Sequence, residues 1–103
     1  PNPQELLMCA ANACMTVGYV AQAAVRGITL TKCAINMKGQ LDLRGFLGID
    51  ASIRPGYGAI DYEVELEGDG TREQFEEIHV AVQATSPNFF NMANAIEMRG
   101  TLA

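Results

Sequence analysis

The sequence has no tryptophan, one histidine and only seven lysines and arginines, and the scarcity of histidine and of basic residues argues against two classes of function. The basic residues are scattered singly in a chain of net charge -5, so binding to nucleic acid or to an anionic membrane is not expected. His79 has no cysteine or histidine at metal-ligand spacing, which predicts a structural or solvent-facing side chain. We therefore predict no metal site and no cofactor.

The cysteine count is odd, at three, and the spacings are not those of a disulfide framework. No basic segment precedes the apolar N-terminal stretch, as it would in a secretory signal. Together these absences favour a reducing, cytoplasmic environment. With 103 residues, the chain is predicted to form a single domain, residues 1–103.

The longest uncharged run covers residues 6–25, a length that would suffice to span a bilayer. It contains six alanines as well as amide and hydroxyl side chains, so its hydrophobicity is modest for a membrane anchor. The pattern favours a buried central helix over residues 3–26. Pro3 suits the first turn of that helix, and Gly27 is a typical helix stop.

Two segments alternate apolar and polar residues, 28–38 and 59–67, and they predict two half-buried strands. We interpret the four carboxylates on the outward face of the second strand as a solvated face rather than a metal site. These four residues are Asp61, Glu63, Glu65 and Glu67. Residues 39–58, rich in glycine, are predicted to be a loop-rich connection with one short helical or strand piece.

Helix-start signals follow the second strand. A capping box at Thr71 and Gln74 begins a helix over 72–84, and Ser86 with Pro87 begins another. Residues 97–103 are a candidate for a short final strand. This order of elements predicts the α+β class.

Two cysteines, Cys9 and Cys14, lie five residues apart on the predicted central helix. Five residues correspond to about 140° around a helix and roughly 7.5 Å along it, so the two side chains diverge. A disulfide needs Cα atoms within about 6.8 Å, and a shared metal needs converging ligands, so neither is expected. Either both cysteines are buried structural residues, or one is buried and one is reactive. Cys33, on a strand, is expected in the core.

Several motifs together resemble one family. In their order along the chain, they are similar to segments of the OsmC/Ohr proteins, the osmotically induced and organic hydroperoxide resistance proteins. These motifs are NPQELLMCAANACMT, GQLDLRGFLGI and VELEGDGTREQFEEIHVAVQATSPNF. The resemblance implies an OsmC-like fold, in which a long buried central helix packs with a small antiparallel sheet and two further helices in an intertwined homodimer. It also implies that the N-terminal β region of the family is missing.

The resemblance also implies a chemistry. The family members are thiol peroxidases that reduce organic hydroperoxides, and their peroxidatic cysteine corresponds to Cys14. Their resolving cysteine corresponds to Ser86, which cannot form a disulfide. An oxidised Cys14 would then be resolved by an outside thiol, or by Cys33 if the geometry allows.

Two charged positions complete the predicted site. The acidic residue that follows Asn-Pro in the family corresponds to Gln4, with the carboxylate of Glu5 one place along. The arginine of the family comes from the missing N-terminal region, and Arg54 is a conceivable substitute. Cys14, Glu5 and Ser86 are therefore the predicted catalytic residues.

The leading hypothesis is a cytoplasmic, homodimeric, OsmC-like stress-response protein that reduces organic hydroperoxides through Cys14. Its partners would be a second copy of the chain, a small organic peroxide and an external thiol reductant. The alternative is a non-catalytic module of the same fold that binds a small apolar ligand at the dimer interface. A purely structural subunit of an assembly has no sequence feature in its favour.

Overall fold

The structure is a computed structural model that describes residues 2–103, and the chain divides into two compact units. The larger unit comprises the chain up to Ala34 together with Glu65–Ala103, and the smaller unit is Ile35–Val64. The elements in chain order are α1 (Pro3–Val25), β1 (Leu30–Gly39), α2 (Leu43–Phe46), β2 (Ile60–Gly68), α3 (Arg72–Thr85) and α4 (Pro87–Ala93). The predicted α+β class is confirmed.

Capping residues next to its two ends explain where helix α1 begins and ends. The Asn2 Oδ1 atom accepts a hydrogen bond from the Glu5 backbone N–H at 2.8 Å, and Pro3 occupies the first turn. Gly27 follows the helix with φ of +69°, a left-handed conformation that glycine adopts without a Cβ clash. The helix packs against α3 and α4. Its buried residues are spaced by four positions and are Ala11, Met15, Tyr19 and Ala23.

Only this stripe of α1 is covered within one chain, so the prediction of a helix buried on most sides is wrong for the isolated chain. Val17 is 68% exposed and Val20 is 51% exposed, because α3 and α4 cover one side of the helix. Among residues 2–103, α1 is the one helix long and apolar enough to cross a membrane. Core helices of soluble proteins have the same property.

The helices α3 and α4 complete the core of the larger unit. Thr71 Oγ1 accepts a hydrogen bond from the Gln74 N–H, and Gln74 Oε1 accepts one from the Thr71 N–H, so the predicted capping box is confirmed. Ile78 and Val82 on α3 are completely buried. Ser86 caps α4, as predicted.

Strands β1 and β2 form a two-stranded sheet. The Asp69 N–H, just after β2, donates to the Thr29 carbonyl, just before β1, so the pair is antiparallel. On β2 the outward carboxylates are exposed except for that of Glu65, which is half-buried and paired with Lys32. The hydrogen bond from the Lys32 ammonium to the Glu65 carboxylate raises the pKa of Lys32 above its ordinary value. The interpretation of a solvated carboxylate face is confirmed.

The predicted C-terminal strand is wrong. Residues 97–103 are exposed and have no regular structure. An ion pair of 2.8 Å between Glu97 and Arg99 is local to the segment. A strand needs a partner for its backbone N–H and C=O groups, and no strand within residues 2–103 pairs with this one.

The smaller unit contains the connection between β1 and β2. The prediction of an irregular segment with one short piece of regular structure is confirmed, because α2 is a single turn between loops. Asp42 caps this turn by accepting a hydrogen bond from the Arg44 N–H at 3.0 Å.

Candidate functional site

Ser86 joins α3 to α4 and is only 5% exposed. Its backbone N–H donates to the Val82 carbonyl at 2.8 Å, and its Oγ accepts from the Phe89 N–H at 3.4 Å. Pro87 has no N–H with which to extend α3, so the chain turns here and a serine can cap the next helix. The two helix ends therefore hold the Ser86 hydroxyl in a defined position inside the protein.

The Cys14 thiol on α1 is half-buried and faces this hydroxyl, with 3.6 Å between Sγ and Oγ. A second link joins the same helices, because Asn88 Nδ2 donates to the Ala10 carbonyl at 3.1 Å. A serine hydroxyl has one hydrogen and two lone pairs, and the Phe89 N–H uses one lone pair. The hydrogen is free to point at Cys14, so the hydroxyl can donate a hydrogen bond to the sulfur.

The structure brings together two of the three predicted catalytic residues. Cys14 and Ser86 are in contact, whereas Glu5 lies at the start of α1 and is exposed. Glu5 is nine residues before Cys14, about 14 Å along the helix axis and roughly 180° around it. The Glu5 carboxylate accepts a hydrogen bond from Asn2 Nδ2 at 2.8 Å, and it thereby supports the N-terminal cap. A catalytic role for Glu5 stays a prediction.

The other two cysteines have surroundings different from those of Cys14. Cys9 is exposed, so the hypothesis that both α1 cysteines are buried is wrong. Cys33 is half-buried and lines a cavity of about 290 Å³ with Val20 and Ala24. Those positions lie about 9 to 15 Å along α1 from Cys14, so Cys33 faces a later part of the helix. Burial raises the pKa of the Cys33 thiol.

A polar contact that the sequence analysis did not anticipate joins α1 to α3. The Tyr19 hydroxyl lies 2.6 Å from Nδ1 of His79. The residues are 60 positions apart, and no short-range motif connects them. The prediction of a structural role for His79 agrees with this contact, but its partner could not be read from the pattern around residue 79.

The described part of the chain has neither a metal-binding cluster nor a cationic side chain bonded to the Cys14 thiol. No cluster of three histidine, cysteine, aspartate or glutamate side chains there could hold a metal ion. Within residues 2–103, the hydrogen-bond partner of Cys14 Sγ is Ser86 Oγ, and no cationic side chain bonds to the thiol. Arg54 belongs to the smaller unit and is exposed.

A family model described as OsmC-like protein matches residues 1–99. The chain belongs to the OsmC-like family. The crystal structure of an OsmC-like protein from Mycoplasma pneumoniae has a similar fold, with a TM-score of 0.75 and 18% identity over 89% of this chain. The chain spans 62% of the length of that protein. A comparison with curated proteins found no match.

These comparisons confirm the family and the fold predicted for this OsmC-like protein. The dimer, the peroxidase activity, the partners and the cytoplasmic location stay predictions.

Proposed function

We propose that this OsmC-like protein is a one-cysteine thiol peroxidase that reduces organic hydroperoxides at Cys14. The observation that carries the proposal is the 3.6 Å contact between Cys14 Sγ and the buried hydroxyl of Ser86. The thiolate is the nucleophilic form of cysteine, and the Ser86 hydroxyl is placed to donate a hydrogen bond to it. The protein does not have to reorganise to position the Ser86 hydroxyl during the reaction, because the ends of α3 and α4 already hold it in place.

The proposed reaction has two stages. The Cys14 thiolate attacks the distal peroxide oxygen, so that an S–O bond forms, the O–O bond breaks and the alkoxide takes a proton to leave as an alcohol. The peroxide is reduced and the sulfur is oxidised to sulfenic acid. An external thiol then displaces water to form a mixed disulfide with Cys14, and a second thiol releases the reduced enzyme as a new disulfide leaves. Ser86 donates a hydrogen bond throughout and forms no covalent bond.

The reductant in this proposal comes from outside the chain. Cys9 is on a divergent face of α1, Cys33 on β1 lines a cavity beside Val20 and Ala24 in a later part of that helix, and Ser86 has no sulfur. The proposal therefore includes an external thiol, in a reducing cytoplasm.

A homodimer is also part of the proposal. Large apolar side chains on α1 remain exposed in the single chain, and a contiguous apolar face of this kind is typical of an association surface. A second copy of the chain would bury this face, as the sequence resemblance implied.

The test is chemical trapping of the oxidised sulfur. Purified protein is treated with tert-butyl hydroperoxide and a sulfenic-acid probe, and the adduct is mapped by mass spectrometry. We expect rapid labelling at Cys14, faster than with hydrogen peroxide, none at that position in Cys14→Ser, and slower labelling in Ser86→Ala. The matched control Ser52→Ala removes an exposed hydroxyl of the smaller unit and is expected to change nothing. Absence of labelling at Cys14 in the folded protein would rule out the peroxidase.

A second candidate function is a non-catalytic module that binds a small apolar ligand at a dimer interface. The observation in its favour is that no cationic side chain of residues 2–103 bonds to Cys14, although thiol activation commonly uses one. Native mass spectrometry of the purified protein discriminates the two. An inert Cys14 together with a co-purifying apolar ligand would favour the binding module.

A further inference from the structure

The smaller unit, Ile35–Val64, has at its surface a wide, open cavity that takes no part in the proposed reaction. Its volume is about 540 Å³, within the range of small-molecule binding sites. Leu41, Leu43 and Ile53 form its apolar walls, and Gln40, Asp42 and Arg54 supply polar groups.

The cavity lies between two backbone segments that pack directly on each other. A Cβ atom at Gly45 would lie 2.4 Å from the Arg54 carbonyl oxygen, a distance that no side chain tolerates. Glycine at this position therefore allows α2 to approach the segment that follows residue 52. The backbone of Gly45 packs directly on the backbone of Ile53 and Arg54. This contact determines where the backbones of Asp42 and Arg54 lie relative to each other.

The two charged groups of the cavity differ in how they are paired. Asp42 is bound to the Arg44 guanidinium at 2.7 Å, and this hydrogen bond lowers the pKa of the Asp42 carboxyl. Its negative charge is thus matched by a neighbour. Arg54 has no ion pair or side-chain hydrogen bond with any residue of the described chain 2–103. The cavity therefore combines apolar walls with one unmatched positive charge.

We infer that this cavity binds a small amphipathic carboxylate. Its apolar chain would lie against Leu41, Leu43 and Ile53, and its carboxylate would pair with Arg54. A guanidinium offers two parallel N–H donors that match a carboxylate, which makes arginine the fitting cation for this ligand class. Arg54 is exposed, so the pair stays partly hydrated and binding is expected to be roughly millimolar rather than tight. The inference does not depend on the chemistry of Cys14.

The experiment is a titration of the isotope-labelled protein with octanoate, followed by amide chemical shifts. We expect saturable shifts in residues 40–58 and affinity weakened about tenfold in Arg54→Gln, as for loss of a charge-assisted hydrogen bond. Arg72→Gln removes another exposed arginine, one that belongs to the larger unit, and is expected to bind octanoate as the parent does. Octanol, which has no charge, should bind the parent and Arg54→Gln equally weakly.

A second variant tests the cavity without changing its charge. Gly58 lines the cavity, and a Cβ there would meet no atom within 4 Å, so Gly58→Leu can occupy the space without a clash. We expect Gly58→Leu to lose octanoate binding while its unliganded spectrum remains that of a folded protein. Equal octanoate affinity in the parent and Arg54→Gln, shifts confined to the larger unit, or no saturation up to the solubility limit would each overturn the inference.

Discussion

The phenolic oxygen of Tyr19 lies 2.6 Å from Nδ1 of His79, and the two rings are nearly parallel, with 17° between their planes. Tyr19 is completely buried on α1 and His79 is half-buried on α3. His79 lies seven residues, about two helical turns, before Ser86, the residue that ends α3. The hydrogen bond therefore connects the two helices whose packing also brings Cys14 to Ser86.

Tyr19→Phe removes this hydroxyl and leaves the ring in place. We expect the free energy of unfolding to fall by about 1 to 2 kcal/mol, because the hydrogen bond between the buried Tyr19 hydroxyl and the half-buried His79 imidazole is lost. Urea denaturation measures the change. Tyr57→Phe is the matched control, since within residues 2–103 its hydroxyl has no hydrogen bond and the ring is half-buried. Equal losses in the two variants would show that the Tyr19–His79 bond contributes nothing to stability.

Ser86→Cys places a second sulfur against Cys14. The present distance of 3.6 Å from Sγ to the Ser86 oxygen is close enough for a disulfide after a small side-chain movement. One equivalent of organic hydroperoxide should then produce a bond between positions 14 and 86 and suppress labelling by the sulfenic-acid probe.

Non-reducing peptide mapping detects that bond. The control is the double variant Cys14→Ser with Ser86→Cys, which cannot form it. A weaker α4 cap is expected as a side effect, at a cost of about 1 kcal/mol, because cysteine is a poorer cap than serine. Continued labelling of Cys14 in Ser86→Cys without a disulfide would contradict the proposed contact.

Cys9 and Cys33 should react with an alkylating reagent at different rates. Burial raises the pKa of Cys33, so its thiolate is scarce near neutral pH, whereas Cys9 is exposed. At pH 8 we expect iodoacetamide to modify Cys9 at least about tenfold faster than Cys33. Mass spectrometry of timed samples gives both rates. Similar rates would contradict the burial of Cys33.

The raised pKa of Cys33 also makes the stability of the protein depend on pH. A thiol whose pKa is raised in the folded state stabilises the protein fully below the pKa of the unfolded chain, and that contribution is lost as pH rises through the folded value. Stability should therefore fall in mildly alkaline solution, and the fall should be smaller in Cys33→Ala. Denaturation at a series of alkaline pH values measures it, and identical pH profiles in the two proteins would oppose this prediction.

Val17→Glu tests the proposed homodimer. Val17 is 68% exposed near the middle of α1, and a carboxylate buried between two copies would be unpaired. We expect the variant to be monomeric in sedimentation measurements at concentrations where the parent is dimeric. Ala51→Glu adds the same charge to an exposed loop of the smaller unit and should leave association unchanged. A monomeric parent protein would reject the dimer.

Most of the regular structure was predictable because its causes are local. The Asn2 cap, the Thr71–Gln74 capping box and the stop at Gly27 each act within one turn of chain. The alternation in β2 and the motif order that resembles the OsmC-like family are likewise properties of the linear chain. These features specify where elements begin, where they end and which side faces inward.

Tertiary packing decided the rest. The contact of Cys14 with Ser86 spans 72 positions, and that of Tyr19 with His79 spans 60, so neither follows from residue spacing. Cys9 is exposed because α3 and α4 cover only one side of α1, and residues 97–103 lack a strand partner. Hydrogen-bonded caps and hydrophobic periodicity act over a few residues, whereas burial and cross-helix contacts depend on which distant segments pack together.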